Sequence, residues 1–368
     1  MNKHRMLIIN PGSTSTKISV FDDKDCIFTE SIFHDAPELL SYPTVEAQIP
    51  FRKKVILDLL KKHGIDIDTI NVYVGRGGSA CQQKAGVMPI DEALYRDTAA
   101  AKGGSDHPAK LGVMLAYELC KEYGGQMFTL DPTNVDELCD YARYTGIRGV
   151  YRKAQTHVLN QKAVAMTHAG KNGKKYEDCN YIICHIDGGI TITAHQRGKM
   201  IDSNVGSGGD GPFTPTRIGS VPVLEIVEYL ERGHSVEELK TMCSRAGGLV
   251  SHFGTSDADR IHKLVDDGDG YATVIWNTMI YQICKCIGEM AVALDGKVDS
   301  IILTGGLVRF DDIVKMIEEK CGWIAPIAVY PGEMEQEAMA AAVRHVLEHK
   351  KSAHSYTAAP VWTDPFKP

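Results

Sequence analysis

The sequence predicts an α/β protein of two related domains, each a mixed central sheet with flanking helices. Three observations predict it. A strand–turn–strand unit whose turn is built from Gly, Asp or Asn with hydroxyl residues occurs twice, over Arg5–Phe21 and again over Tyr181–Ala194. Further apolar runs that end in polar or glycine turns recur at Ile70–Val74, Met127–Leu130 and Val298–Leu303, with segments of helical spacing between them. Finally, 368 residues exceed what one hydrophobic core usually supports.

Composition narrows the class. A hydrophobic fraction of 43% and a charged fraction of 24% are those of an ordinary globular protein. The formal net charge of -7 leaves no broad basic field, so nucleic acid is not an expected partner and an arginine in a site should serve a small anion. The long apolar stretch Tyr271–Leu294 is interrupted by Asn277, Gln282, Lys285 and Glu289, which marks a buried helix rather than a membrane span. After Arg5 the chain enters strand pattern without an apolar leader, so a cytoplasmic location is the expectation. The ten cysteines are scattered over helices and strands; Cys184, Cys284 and Cys286 read as buried thiols.

Taken in order, the first hairpin is followed by a helix over Phe51–His63, with Val55, Ile56, Leu59 and Leu60 at helical spacing and a stop at Gly64. The strand Ile70–Val74 runs into Gly75-Arg76-Gly77-Gly78, which sets a cation at a strand's carboxyl end, where open α/β sheets bind ligands. A helix over Pro108–Tyr123 ends at Gly124-Gly125, and the strand Met127–Leu130 delivers Asp131-Pro132. A helix over Lys153–His168 joins the halves, and Gly170–Asp178 is a polar loop. The boundary falls near Gly149, giving a first domain of residues 1–149 plus about 340–368 and a second of 150–339.

In the second half, Gly206–Pro212 has no periodicity and leads to Thr216-Arg217, as an active-site loop does. Ser235-Val236-Glu237-Glu238 is a capping box. The strand Val298–Leu303 enters Thr304-Gly305-Gly306; a last strand over Ile324–Val329 and a last helix over Met334–Leu347 follow. From Lys350 the tail reads as a polar surface arm without chemistry.

The turn Asn10-Pro11-Gly12-Ser13-Thr14-Ser15-Thr16-Lys17 is crowded with donors for phosphate oxygens, and the Asn10 carbonyl can reach a metal. Four consecutive hydroxyls exceed what an ordinary hairpin turn requires. It is not a Walker A loop, because it lacks that spacing and feeds a strand rather than a helix. Asp187-Gly188-Gly189 and Thr304-Gly305-Gly306 are weak signals singly, but each follows an apolar strand.

Together these three turns resemble the anion- and nucleoside-contacting turns of the actin, sugar kinase and acetate kinase superfold, which implies two actin/ribonuclease H-like domains. Asn10–Lys17 resembles the amino-terminal signature of the acetate and butyrate kinases, and His185-Ile186-Asp187-Gly188-Gly189 their second one. Gly75–Gly78, Asp131-Pro132, Leu159–Ala163, Asp210–Phe213 and Pro331-Gly332-Glu333 resemble the butyrate kinases in particular, over roughly Met6–Leu347. The resemblance implies reversible phosphoryl transfer between ATP and butyrate or a branched short-chain carboxylate, with magnesium, giving an acyl phosphate and ADP in a homodimer or larger assembly. Acetate or propionate as substrate is the alternative, and a non-catalytic nucleotide-binding regulator a more distant one.

The resemblance also assigns roles. Arg76 corresponds to the arginine that holds the carboxylate, Arg217 to the one that steadies the transferring phosphoryl group, and Asp131 to an aspartate organising the magnesium shell. His185 and His107 match histidines that donate to phosphoryl oxygens. Asn10, Ser13, Thr14, Ser15, Lys17, Asp187, Gly188, Gly189, Gly305 and Gly306 contact ATP or ADP, with Asn10 and Asp131 also metal ligands. A late acidic metal ligand is sought among Glu333, Glu335 and Glu337, and Glu337 best matches the start of the final helix. Where acetate kinases carry branched side chains after the substrate arginine, Gly77 and Gly78 stand here, which leads to the expectation of room for a four-carbon chain.

Overall fold

The computed structural model describes residues 4–12, 15–35, 38–39, 41–104, 108–349 and 353–366. The chain divides into two compact units, Met1–Asp136 with Met334–Pro368, and Glu137–Glu333. In chain order, the first unit holds β1 (Arg5–Pro11), β2 (Ser15–Asp22), β3 (Asp25–Phe33), α1 (Ile49–Lys62), β4 (Val72–Gly75), β5 (Val87–Pro89), α2 (Glu92–Ala99), α3 (Lys110–Tyr123) and β6 (Gln126–Leu130). The second unit holds α4 (Val158–Lys171), β7 (Asn180–Ile186), β8 (Ile190–Gln196), β9 (Lys199–Ser203), α5 (Val223–Glu231), α6 (Val236–Thr241), α7 (Leu249–Phe253), α8 (Ala258–Asp266), α9 (Gly270–Ala293), β10 (Ser300–Gly305), α10 (Asp311–Cys321) and β11 (Ile327–Pro331). The final helix, α11 (Glu335–His349), returns to the first unit.

One topology occurs twice. The first sheet runs β3-β2-β1-β4-β6-β5 and the second, read from its other edge, β9-β8-β7-β10-β11. In each, an antiparallel hairpin lies beside parallel strands: β1 pairs antiparallel with β2 and parallel with β4, as β7 does with β8 and β10. Residues 6–11 of β1 and 181–186 of β7 are buried without alternation, as strands covered on both faces must be. Because β1, β4 and β6 run parallel, their carboxyl ends share one edge of the first sheet; β7, β10 and β11 do the same in the second.

Helix α3 sits directly on the end of β4. A Cβ at Gly75 would collide with the Gly112 carbonyl and one at Gly112 with the Arg76 carbonyl, so this pair of glycines sets the backbone just before Arg76. Helix α9 buries Ala272, Trp276, Met279, Ile280, Ile283, Ile287 and Met290 on the second sheet. Its other face exposes Tyr271, Val274, Tyr281 and Val292, so the long apolar stretch is buried on one side only. Among the described residues no helix is long and apolar enough to cross a membrane.

The helix expected over Lys153–His168 begins at Val158 and continues to Lys171, past Gly170. The capping box at Ser235 is present: the Ser235 side chain accepts the Glu238 N–H, and the Glu238 carboxylate accepts the Ser235 N–H. Gly206–Pro212 forms no helix or strand, and the ten cysteines are free, with Cys184, Cys284 and Cys286 buried. The tail departs from the surface arm expected of it: Tyr356 is buried and packs in the core of the first unit, where its ring removes apolar area from water.

Candidate active site

In the first unit, three strand ends bring the expected residues to one sheet edge. Asn10 lies at the end of β1, opposite Lys17 across the hairpin. The turn closes through the Gly12 N–H, which donates to the Ser15 carbonyl at 2.9 Å. Beneath it lies Arg52, fully buried on α1, whose Nη1 donates to the Ser15 carbonyl at 2.6 Å and to Thr16 Oγ1 at 3.0 Å. Burial draws the Arg52 guanidinium down to about 10, so it stays charged at neutral pH. Ser13, Thr14 and His107, each expected to contact phosphate, lie outside the described residues.

Arg76 follows β4, and its N–H extends the sheet by donating to the Ile9 carbonyl at 2.9 Å. Its Nη1 reaches Asn10 Oδ1 at 3.3 Å and Glu335 Oε2 at 3.2 Å, while Asn10 Nδ2 donates to that same Glu335 oxygen at 2.7 Å. Glu335 is 1% exposed in the first turn of α11, where the helix dipole favours a carboxylate. Glu337, two residues further round the helix, is exposed, and Glu333 belongs to the second unit. The carboxylate that the fold carries to Asn10 and Arg76 is therefore Glu335.

Asp131, at the end of β6, has a φ of 39°, a left-handed conformation that costs a non-glycine residue about 1–3 kcal/mol. Its Oδ1 accepts the Gly86 N–H at 2.6 Å. The glycines after Arg76 differ from each other. A Cβ on Gly77 would fall 2.6 Å from Thr129 Oγ1 and 3.0 Å from Pro132 Cβ, so its bareness makes room for the protein itself. A Cβ on Gly78 would meet Thr133 Oγ1 alone, at 3.1 Å.

In the second unit, Asp187 ties two turns together. Its Oδ1 accepts the Gly188 N–H at 2.7 Å and its Oδ2 the Gly306 N–H at 2.6 Å, which joins the turn after β7 to the turn after β10. Gly305 has a φ of 100°, and a Cβ there would collide with the Ile186 carbonyl, so this turn requires glycine. His185, buried at the end of β7, has Nδ1 3.0 Å from Asn160 Nδ2 and stacks on His157 with ring centroids 3.8 Å apart. Its Nε2 lies 3.7 Å from Glu333 Oε1.

The loop after Gly206 is fastened to the Asp187 turn by two hydroxyls. Thr214 and Thr216 both donate to the Gly188 carbonyl, at 2.8 and 2.9 Å. Arg217 is thereby held over Gly189, with Nη1 donating to the Gly206 carbonyl at 2.5 Å. Burial lowers the affinity of its guanidinium for the proton without neutralising it. A Cβ on Gly189 would collide with that guanidinium. The Gly189→Ala variant should therefore displace Arg217 and lower kcat about tenfold or more, with little change in Tm; steady-state kinetics beside a thermal melt checks this.

Oxygen donors suit magnesium, and the first unit offers the Asn10 amide and the Glu335 and Asp131 carboxylates at one sheet edge. In the second unit, one ligand atom each from His185, Asp187 and Glu333 lies within 4.8 Å of the others. The donor chemistry of the first set, all oxygen, fits the ion better.

Two units of one topology, each presenting polar turns at the carboxyl ends of parallel strands, define the two-domain fold of the actin-like ATPases and acetate kinases. A model of the acetokinase family matches residues 140–355, and the chain belongs to that family, phosphotransferases with a carboxyl group as acceptor. The fold is similar to that of acetate kinase from Porphyromonas gingivalis, with a TM-score of 0.76 at 18% identity over 94% of this chain and 100% of that one. A propionate kinase from Francisella tularensis subsp. tularensis SCHU S4 gives 0.72 at 17% identity, over 92% and 98% of the two chains. Acetate kinase from Entamoeba histolytica gives 0.73 at 18%, over 91% and 97%.

Proposed function

We propose that this chain transfers a phosphoryl group reversibly between ATP and butyrate or a branched carboxylate of similar length. The observation that carries the reading is the cluster of buried Asn10 and Glu335 with partly buried Arg76, two residues before the bare Gly78. A carboxylate with a pKa of about 4 to 5 is already ionised at neutral pH and needs no general base. Its approach to a polyphosphate instead requires cations on both partners.

Arg76 binds the acceptor carboxylate through its planar fork, and the Asn10 and Glu335 contacts of its Nη1 hold that fork still. One carboxylate oxygen attacks the γ-phosphorus in line, the bond from phosphorus to the β,γ-bridging oxygen breaks, and ADP leaves with that electron pair. Asn10, Asp131 and Glu335 would hold magnesium through their oxygens, and the ion would supply charge neutralisation for the phosphates. Arg217 and His185 donate to the transferring group's oxygens, while the Gly188, Gly189, Gly305 and Gly306 turns receive the phosphates of the nucleotide. Butyrate-dependent release of ADP that stops when magnesium is chelated is the expected result; ADP release indifferent to butyrate would remove the reading.

Chain length rests on Gly78, since Gly77 is packed against Thr129 and Pro132. The Gly78→Val variant should lower the butyrate-to-acetate ratio of kcat/KM by about tenfold, the scale of one to two methylene groups in a pocket. An unchanged ratio would remove the assignment. The solved structures of similar fold carry the names acetate kinase and propionate kinase, which favours acetate or propionate as the second reading. A substrate series separates the two.

A further inference from the structure

The carboxyl-terminal arm lies against the segment that supports Asp131. Tyr356, buried among the apolar residues of the first unit, donates from Oη to Asp97 Oδ2 at 2.8 Å and accepts the Cys81 N–H at 3.3 Å. His354 donates its N–H to the Val87 carbonyl at 3.2 Å, and its Nε2 lies 3.1 Å from the Lys84 carbonyl. A carbonyl only accepts, so that nitrogen carries a proton. The His354 ring also covers Gly86: a Cβ there would stand 3.3 Å from its Cε1. Gly86 is the residue whose N–H meets Asp131 Oδ1 at 2.6 Å.

The opposite side of the same segment is held by residues that follow Asp131. The Gln83 N–H donates to the Asn134 carbonyl at 3.1 Å, the Asp136 N–H to the Gln83 carbonyl at 2.8 Å, and Asn134 Nδ2 to the Ala80 carbonyl at 2.7 Å. Residues 81–87 are thus clasped between the arm and the stretch 131–136, and β5 begins where the clasp ends.

We infer that the carboxyl-terminal arm is a strap in which His354 and Tyr356 are positioning residues, holding residues 81–87 so that the Gly86 amide fixes Asp131 in its left-handed conformation. Its effect on catalysis rests on the proposed role of Asp131. A residue strained at φ 39° relaxes when its partner moves, so loosening the arm reaches the site through the Gly86 contacts, its N–H to Asp131 Oδ1 and its carbonyl to the Asp131 N–H at 3.4 Å.

The test uses the full chain with His354→Ala, His354→Gln and Tyr356→Phe, the last retaining the packed ring. Amide hydrogen exchange of the peptide covering residues 81–90 is read without substrates. His354→Ala should speed that exchange about tenfold or more while other peptides of the first unit keep their rates. It should also lower kcat about tenfold and raise the magnesium concentration for half-maximal rate. His354→Gln, whose amide can still donate to the Lys84 carbonyl, should restore both.

Unchanged exchange in His354→Ala and Tyr356→Phe would overturn the strap, and faster exchange with the magnesium dependence of the wild type would overturn its link to Asp131. Asp131→Asn is the control. If that variant keeps full activity, the assignment of Asp131 fails by itself, and the exchange measurement still decides whether the arm holds the segment.

Discussion

Arg76→Ala should lower kcat/KM for the carboxylate by about 10²–10³-fold. Two losses combine. The acceptor loses its fork of charge-assisted donors, and Glu335, 1% exposed, loses a cation 3.2 Å away. Removing one partner of a buried ion pair destabilises by about 3–5 kcal/mol, because the remaining charge is left in a poor solvent. The variant should therefore also melt at a lower temperature. The two losses separate in Arg76→Ala/Glu335→Gln, which removes the orphaned charge: stability should return in large part, and activity should not. Arg76→Lys keeps the charge but not the fork, so it should fall between wild type and alanine. Rates and melting curves of the three variants, measured with butyrate, check the argument.

Arg217→Ala should reduce kcat by about 10²–10³-fold while changing KM for the carboxylate little, as expected for a donor aimed at charge that develops in transfer. Its surroundings imply a small structural cost. The guanidinium lies on the face of Gly189 and donates to the Gly206 carbonyl, and the loop that carries it is fastened independently by Thr214 and Thr216. The alanine variant should keep the wild-type Tm to within a few degrees. Equilibrium binding of ADP beside initial rates separates loss of transfer from loss of binding; an equal fall in both would assign Arg217 to nucleotide binding instead.

Much of this arrangement is legible in the chain itself. Each hairpin is an uninterrupted apolar run, a turn that only small and polar residues make, and a second run, so β1/β2 and β7/β8 stand out. Arg76 and Asp131 are readable as site residues because each is the first polar group after a buried strand. The third strand of each sheet is less visible: β3 shows no fully buried residue, so its pattern carries little contrast.

The choice of Glu335 is not legible, because Glu333, Glu335 and Glu337 are spaced by two and the first residue of a helix is uncertain by one or two positions. The register of α11 decides it. Arg52 was within reach. It shares a helical face with Ile56, Leu59 and Leu60, and a cation on an apolar face signals a buried partner. The link from Asp187 to Gly306 is a matter of adjacency between β7 and β10, which the local pattern does not encode. A polar tail that carries Tyr356, Trp362 and Phe366 likewise gives no sign of which ring enters the core.

The most direct test of the account is magnesium- and ATP-dependent formation of acyl phosphate, trapped as the hydroxamate, with acetate, propionate, butyrate, isobutyrate and valerate compared at equal concentration. Product is expected with all five acids, with the highest kcat/KM at four or five carbons. A maximum at acetate would contradict the chain-length assignment, and no hydroxamate from any acid, with ATP still bound, would contradict phosphoryl transfer to a carboxylate altogether.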